Sequence, residues 1–496
     1  MTFFREELGN NTGKLKLFVH LIVPLLLSLT ALAGALLKVY GFDPNDWDYG
    51  IFSNLLWNFA HGNGWRMSLY EGQARVLFLA DHLALLVPLL APFFILFPSP
   101  YTFSVLHGLA FSAVFFLVPF FVREVWKHGG RDDYLPAALF LMLALLNFPG
   151  FWRAWSYQSH MTTLVMPFLL ASLIALHRKS LVWAVLFCLI VTLAQERASV
   201  ALFGVGMYAL FITKNHRLGL ALCIFSTVYF FAAIKLAIPF FSGQGYLYSD
   251  AIQPFHDLDR KAWFLSMLFL FWFFLPLIGK RAFLAACCAL PLLGLGLVSN
   301  REPMYSLFWA HYNDLPSIFF LAAATFGVLR LSEEKWFQQI PRAVVTLLAC
   351  ACLLISFAYF VSIGTSRLMP VSFLATWRPD PAIAQLNADL AAYSRLHPDV
   401  KVYASSGIGP RLSMRKHRYV LTLEAAEKHF NASMVFIAPN KGMYPYRSRE
   451  EIVSLLRFLA SNQSLRLTKQ TSDLLVFTST DLLTDRGQRI LRQQKK

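Results

Sequence analysis

Five clusters of ionisable and aromatic side chains interrupt an otherwise apolar chain. The stretch "WDYGIFSNLLWNFAHGNG" (47–64), with Asp43 and Asp46 just before it, supplies Asp48, Tyr49, Trp57 and His61. Arg66, Glu71, Arg75, Asp81 and His82 follow. "GFWRAWSYQSH" carries Arg153, Tyr157 and His160, and "AQERA" carries Gln195, Glu196 and Arg197. "SNREPMYSLFWAHYND" adds Arg301, Glu302, His311, Tyr312 and Asp314. A positioned carboxylate can take a proton from an attacking hydroxyl. The planar fork of arginine suits phosphate. Aromatic rings can stack on sugar faces or anchor a chain at a membrane surface.

Each residue also has a plainer reading. Asp43 and Asp46, beside Pro44, suit a turn. Asp48 could equally cap a helix starting at "YGIFSNLLW". Asp81 and His82 could cap the short apolar helix after them. Glu196 and Arg197 could pair with each other, and Arg153 and Arg301 could snorkel to headgroups. His61, His160 and His311 could be structural. What favours chemistry is convergence, since all five clusters fall on one face of the bundle expected from the surrounding elements.

Those elements are membrane helices. Of the 496 residues, 57% are hydrophobic and 15% charged, against roughly 25% charged in soluble domains. Mean hydropathy is +0.51. The net charge of +16 sits largely in short gaps between apolar runs, as in cytoplasmic loops, so no nucleic-acid partner is expected. All six cysteines lie inside apolar runs and read as small core hydrophobes. A P-loop and an H-E-x-x-H motif are both absent, which excludes a P-loop pump and a zincin-type protease.

A span needs about 20 apolar residues. Candidates are 17–39, 101–122, 134–150, 161–177, 181–195, 198–213, 218–239, 263–279, 282–298, 313–331 and 341–363. Basic clusters alternate with them. The reading is a polytopic α-helical membrane protein with about eleven spans, N-terminus cytoplasmic and C-terminus outside. "HLALLVPLLAPFFILFP" (82–98), with three prolines, is read as an interfacial or re-entrant helix within a long external first loop, 40–100. The membrane module covers 1–363, and 364–496 form a soluble extracytoplasmic α/β domain. There "ASMVFIAP" and "DLLVFTST" read as buried strands and "SREEIVSLLRFLASN" as an amphipathic helix. "RLSMRKHR" reads as a solvated basic face, or as a contact for an anionic glycan or headgroup. The tail "DRGQRILRQQKK" reads as a loose basic end.

This pattern resembles the GT-C superfamily of membrane glycosyltransferases, and more closely the bacterial family of predicted membrane proteins known as domain of unknown function 2079. The similarity is carried by "WDYGIF" (47–52), "ADH" (80–82), "QER" (195–197), His311-Tyr312 and "ASSGIGPRLSMRKHR" (404–418). The chain departs from the family pattern at His160, where an acid is usual before the fourth span, and at Arg197, where the family has the aspartate of K-E-D.

The resemblance implies a GT-C-like fold in a bacterial inner membrane. It also implies transfer of a sugar from a polyprenyl-phosphate-linked donor, an inverting reaction with Asp48 as candidate base or as part of acceptor or metal positioning. The acceptor would be an extracytoplasmic glycan, lipid or protein. On that reading Arg153, Arg197, Arg301, His311 and Tyr312 bind the donor phosphate. Asp81, His82, His160, Glu196, Tyr49 and Trp57 contact acceptor or sugar, and the groove beside 82–98 takes the lipid tail. No cofactor is assigned; a divalent metal on Asp48, Asp81 and Glu196 is left open. The alternatives are a transporter or flippase for a lipid-linked or anionic solute, and a non-catalytic envelope assembly protein.

Overall fold

In the computed structural model the described residues are 11–43, 46–67, 77–157, 160–246, 248–308, 311–362, 373–374, 377–393, 396, 400–422, 430–441, 443, 446 and 448–484. Glu71, Arg75 and the basic tail from 485 lie outside them.

The described residues between 11 and 362 form a helical bundle. In chain order it comprises α1 (Gly13–Tyr40), α2 (Ile51–Ala60), α3 (Val87–Leu96), α4 (Thr102–His128), α5 (Leu135–Leu146), α6 (Pro149–Tyr157), α7 (Met161–His177), α8 (Leu181–Thr192), α9 (Glu196–Phe211), α10 (His216–Ser242), α11 (Leu258–Leu270), α12 (Lys280–Cys287), α13 (Leu290–Leu297), α14 (Asp314–Glu333) and α15 (Arg342–Ser362). Among the described residues, α1, α4, α10 and α14 are each long and apolar enough to cross a membrane. The number rises to six if the bent pairs α5/α6 (55°) and α12/α13 (49°) each count as one span. The segments expected to span at 161–177 and 181–195 are present as the shorter apolar helices α7 and α8.

The candidate span 263–279 is broken. Helix α11 stops at Leu270, Phe273 and Phe274 take left-handed φ angles of 53° and 55°, and Pro276 enters a short 3₁₀ turn. The proline-rich segment folds as expected into a short helix, α3. Its Leu89, Phe93, Ile95 and Leu96 are exposed, an apolar face of the kind that lies against lipid.

Close packing depends on small residues. A Cβ on Gly206 would lie 2.6 Å from the Cys223 sulfur and 2.8 Å from the Gly219 carbonyl oxygen. That approach lets α9 and α10 pack backbone to backbone.

The C-terminal part contains α16 (Pro381–Ala391), β1 (Lys401–Ala404), β2 (Arg418–Val420), β3 (Ser433–Ile437), α17 (Arg449–Ser461), β4 (Leu465–Gln470) and β5 (Leu475–Ser479). The sheet order is β2-β1-β3-β5-β4, with β1 parallel to both β2 and β3, and β5 antiparallel to β3 and β4. Both expected strands and the amphipathic helix are present. Ser448 and Glu451 close a reciprocal capping box at the start of α17. The reading of 411–418 as a solvated basic face is corrected: Arg415 and Arg418 are buried. Their long side chains pack inside the domain instead of pointing to water.

Candidate active site

One end of the bundle encloses a cavity of about 800 Å³. All five polar clusters contribute to its walls through Asp48, Asp81, His82, His160 and Glu196, and through Arg197, Arg301, His311 and Tyr312. Tyr157 lines it too. Phe52, Phe230, Ile234 and Leu295 form apolar parts of the wall.

Asp48 lies in a π-helical turn, Asp46–Gly50, immediately before α2. It is half-buried and is hydrogen-bonded by the Tyr157 hydroxyl. The capping reading is not what forms, since α2 has no side-chain cap at its start. Burial pushes the Asp48 carboxyl above the ordinary aspartate range, against the Tyr157 hydrogen bond and the nearby His82 charge.

The second cluster faces it. His82 Nδ1 is 2.8 Å from a Glu196 carboxylate oxygen, and the Leu83 amide donates to the other oxygen at 3.1 Å. Tyr248 donates to Asp81 at 3.1 Å and stacks on the His82 ring. Burial works against the His82 charge, but Glu196 and Asp81 outweigh it and raise the imidazole to about 9. His82 is therefore a cation at neutral pH. The helix-capping alternative for Asp81 and His82 is also set aside, because α3 begins at Val87 and no side chain caps it.

The alternative Glu196–Arg197 pair does not form, because neighbouring residues of a helix point in different directions. Glu196 turns to His82, while Arg197 reaches Asp314 at 3.2 Å and also bonds the Tyr312 carbonyl. The Arg197 guanidinium lies over the Tyr312 ring, 4.7 Å from its centroid. Thr162 donates to the other oxygen of Asp314 at 2.6 Å, and His160 Nδ1 is 3.0 Å from that hydroxyl. The His160 and His311 rings stack at 3.7 Å. Burial, followed by nearby positive charge, holds both imidazoles well below the ordinary histidine range, so they are neutral.

Other expected site residues stand apart. Tyr49 is buried against Phe103 and donates to the Pro100 carbonyl at 2.5 Å. Trp57 stacks on His61. Arg153 lies over the Tyr157 ring and touches Ser156. None of the three lines the cavity. The metal set left open at Asp48, Asp81 and Glu196 does not assemble. No three His, Cys, Asp or Glu side chains among the described residues are arranged to hold a metal ion.

Three cavity residues escaped sequence reasoning. Tyr246 donates to Glu196 at 3.3 Å, Tyr248 carries the Arg301 guanidinium over its ring at 4.7 Å, and Lys235 lines the wall. The signal available was weak: two tyrosines after the glycines of "SGQGYLYSD", and a single lysine within an apolar run. Lys235 also lines a second, mainly apolar groove with Tyr229, Leu236, Phe240 and Phe241. A π-helical turn, Ala233–Ala237, interrupts α10 at this point. Such turns recur at functional sites.

The cavity retains unused hydrogen-bonding capacity. Gln195 Nε2, one terminal nitrogen of Arg197 and His311 Nδ1 are buried with no partner among the described residues. Buried polar atoms are normally paired, so these three suit a polar ligand.

The family model for predicted membrane proteins (DUF2079) matches residues 38–452. The chain belongs to this family. Among solved structures, the DUF2079 chain is similar to ArnT from Cupriavidus metallidurans bound to undecaprenyl phosphate. Identity is 12%, with 91% of this chain and 97% of that one covered and a TM-score of 0.52. ArnT from the same organism in the apo state gives 13% identity, 93% and 98% coverage, and a TM-score of 0.50. At these identities the likeness is one of fold. No curated protein matches.

Proposed function

We propose that this protein is a membrane glycosyltransferase that moves a sugar from a polyprenyl-phosphate-linked donor to an extracytoplasmic acceptor. The observation that carries the reading is the composition of one cavity. It contains a half-buried carboxylate with a raised pKa, Asp48, and the basic side chains His82, Lys235, Arg197 and Arg301. An apolar groove adjoins it through Lys235. The fold shared with ArnT, which was solved with undecaprenyl phosphate, supports a lipid-phosphate partner.

In the mechanism Asp48 accepts the proton of the acceptor hydroxyl as that oxygen attacks the anomeric carbon. The bond from the anomeric carbon to the phosphate oxygen breaks, and its electron pair leaves with the lipid phosphate. Arg197, Arg301 and His82⁺ stabilise the charge that develops there. Lys235 receives the phosphate end of the lipid at the junction of cavity and groove. The raised pKa of Asp48 suits a base, which works best with a pKa nearer the operating pH. We assign residues 1–363 to the membrane module and 364–496 to an extracytoplasmic domain. The N-terminus lies in the cytoplasm of a bacterial inner membrane. The cavity lining comes from one end of the helices, which favours transfer at one surface over transport between two.

The test is transfer of radiolabelled sugar from a panel of polyprenyl-phosphate sugars by the wild-type protein and by Asp48→Asn. General-base removal should lower turnover by about 10²–10⁴-fold while the folded variant still binds the lipid donor. Failure of the wild type to consume or bind any donor in a broad panel would sink the reading.

A further inference from the structure

The mechanism above makes no use of the α/β domain, yet that domain holds the chain on both sides of Asp48. Upstream, Asn387 of α16 donates its side-chain amide to the Tyr40 carbonyl at 3.0 Å. Phe42, at the end of α1, is buried within the domain's own apolar core, beside residues such as Leu386 and Leu390. Its φ of 63° is strained for a bulky residue and persists only where surrounding structure over-determines it. The Arg411 guanidinium covers Phe42 at 5.6 Å and Tyr101 at 4.5 Å, and also bonds Asn387.

At the centre, the 3₁₀ turn Gly409–Leu412 packs directly on the Asp46–Gly50 turn. Downstream, the Asn54 side-chain amide, buried in α2, donates to the Ser413 carbonyl at 2.7 Å and the Arg415 carbonyl at 2.8 Å. Ser413 and Arg415 are themselves buried; loss of that donor would strip the Arg415 carbonyl of this hydrogen bond and leave the Ser413 carbonyl only the bond from the Arg415 amide.

We propose that the α/β domain is part of the catalytic apparatus: its 409–415 segment clamps the chain at Phe42, at the Asp46–Gly50 turn and at Asn54, and fixes the Asp48 carboxylate in the cavity wall. Asn54 and Arg411 are positioning residues, acting through Asp48 without touching substrate. The proposal rests on Asp48 being the base. It gives the domain a role that does not depend on binding acceptor. Its physical basis is that a shift of about 1 Å in a reacting group can cost a hundredfold in rate. A turn clamped at three points resists such a shift.

The experiment uses the full chain in lipid nanodiscs, as wild type, Asn54→Leu and Arg411→Gln, with two readouts. The first is the infrared carboxyl band of Asp48, isolated by subtraction of Asp48→Asn and titrated against pH. The second is sugar transfer from the donor that the wild type uses. A loosened clamp lets water reach the carboxylate, so the titration midpoint should fall toward the ordinary aspartate value near 3.9. Turnover should fall about tenfold or more with donor KM within about twofold. An unchanged midpoint and unchanged turnover in folded variants would overturn the clamp. Arg411→Gln, at a half-buried site, decides by the same readouts if Asn54→Leu does not fold. If the wild type transfers no sugar, the enzymatic reading fails, and the carboxyl titration alone then decides the clamp.

Discussion

At the scale of single residues, the cavity separates its titratable groups by environment. Asp48 has few neighbours to offset its burial and is pushed up. His82 sits between Glu196 and Asp81 and is raised to about 9. The two shifts predict both limbs of a pH–rate profile. Activity should fall on acidification through a midpoint above the ordinary aspartate value of about 3.9, as Asp48 gains its proton. It should fall again on the alkaline side near pH 9, as His82 loses the charge proposed to hold the donor phosphate. A His82→Gln variant should lack the alkaline limb, with a raised donor KM at neutral pH. The sign for stability agrees with this. A histidine whose folded pKa is raised from 6.5 contributes fully below that value and ceases to contribute as the pH rises through about 9. Arg197 supplies a second prediction. It bonds Asp314 and the Tyr312 carbonyl and keeps one buried nitrogen unpartnered. Lysine has no planar fork. Arg197→Lys should weaken donor binding by roughly tenfold to a hundredfold, since hydrogen bonds involving a charged group contribute about 1.5–3 kcal/mol. Isothermal titration with the lipid donor would measure it.

At the scale of elements, two local features shape the site. The π-helical turn Ala233–Ala237 sets Lys235 between cavity and groove, and the glycine contact between α9 and α10 fixes the helix that carries Glu196 and Arg197. A Cβ at Gly206 meets the Gly219 backbone as well as the Cys223 side chain, so the crowding cannot be relieved by a rotamer change alone. Gly206→Val should destabilise the protein by about 1–3 kcal/mol, the usual cost of overpacking. Thermal unfolding in detergent would read it as a lower midpoint, with Gly294→Val as control because a Cβ there meets nothing within 4 Å.

For the whole molecule, the cavity, the apolar groove and the α/β domain meet around the first loop. A ligand that fills cavity and groove should therefore stabilise the entire chain. Undecaprenyl phosphate at a hundred times its Kd should add about 2.7 kcal/mol by mass action, seen as a raised unfolding temperature. The uncharged alcohol of the same length, lacking the phosphate that Lys235, Arg197 and His82 would bind, should add much less. Equal shifts from both lipids would remove the phosphate-binding role of those cations.

Sequence alone determined the architecture that depends on composition and periodicity. Apolar length marked the membrane helices, short apolar runs marked β3 and β5, and an amphipathic period marked α17. It also singled out Asp48, His82, Glu196, Arg197 and His311, because charged or imidazole side chains in apolar surroundings are conspicuous and family motifs carried several of them. Partnership was decided only by tertiary structure. Glu196 and Arg197 are adjacent in sequence yet bond to groups more than a hundred residues away, His82 and Asp314, because helix geometry turns them to different neighbours. Tyr248 and Lys235 join the cavity through a loop and a π-helical turn, neither of which has a reliable linear signature. The basic stretch 411–418 reads as surface by composition. Folding buries Arg415 and Arg418 and stacks Arg411 on rings from the first loop and the start of α4, since long side chains can pack their stems and planes against apolar surface wherever the chain brings it to them.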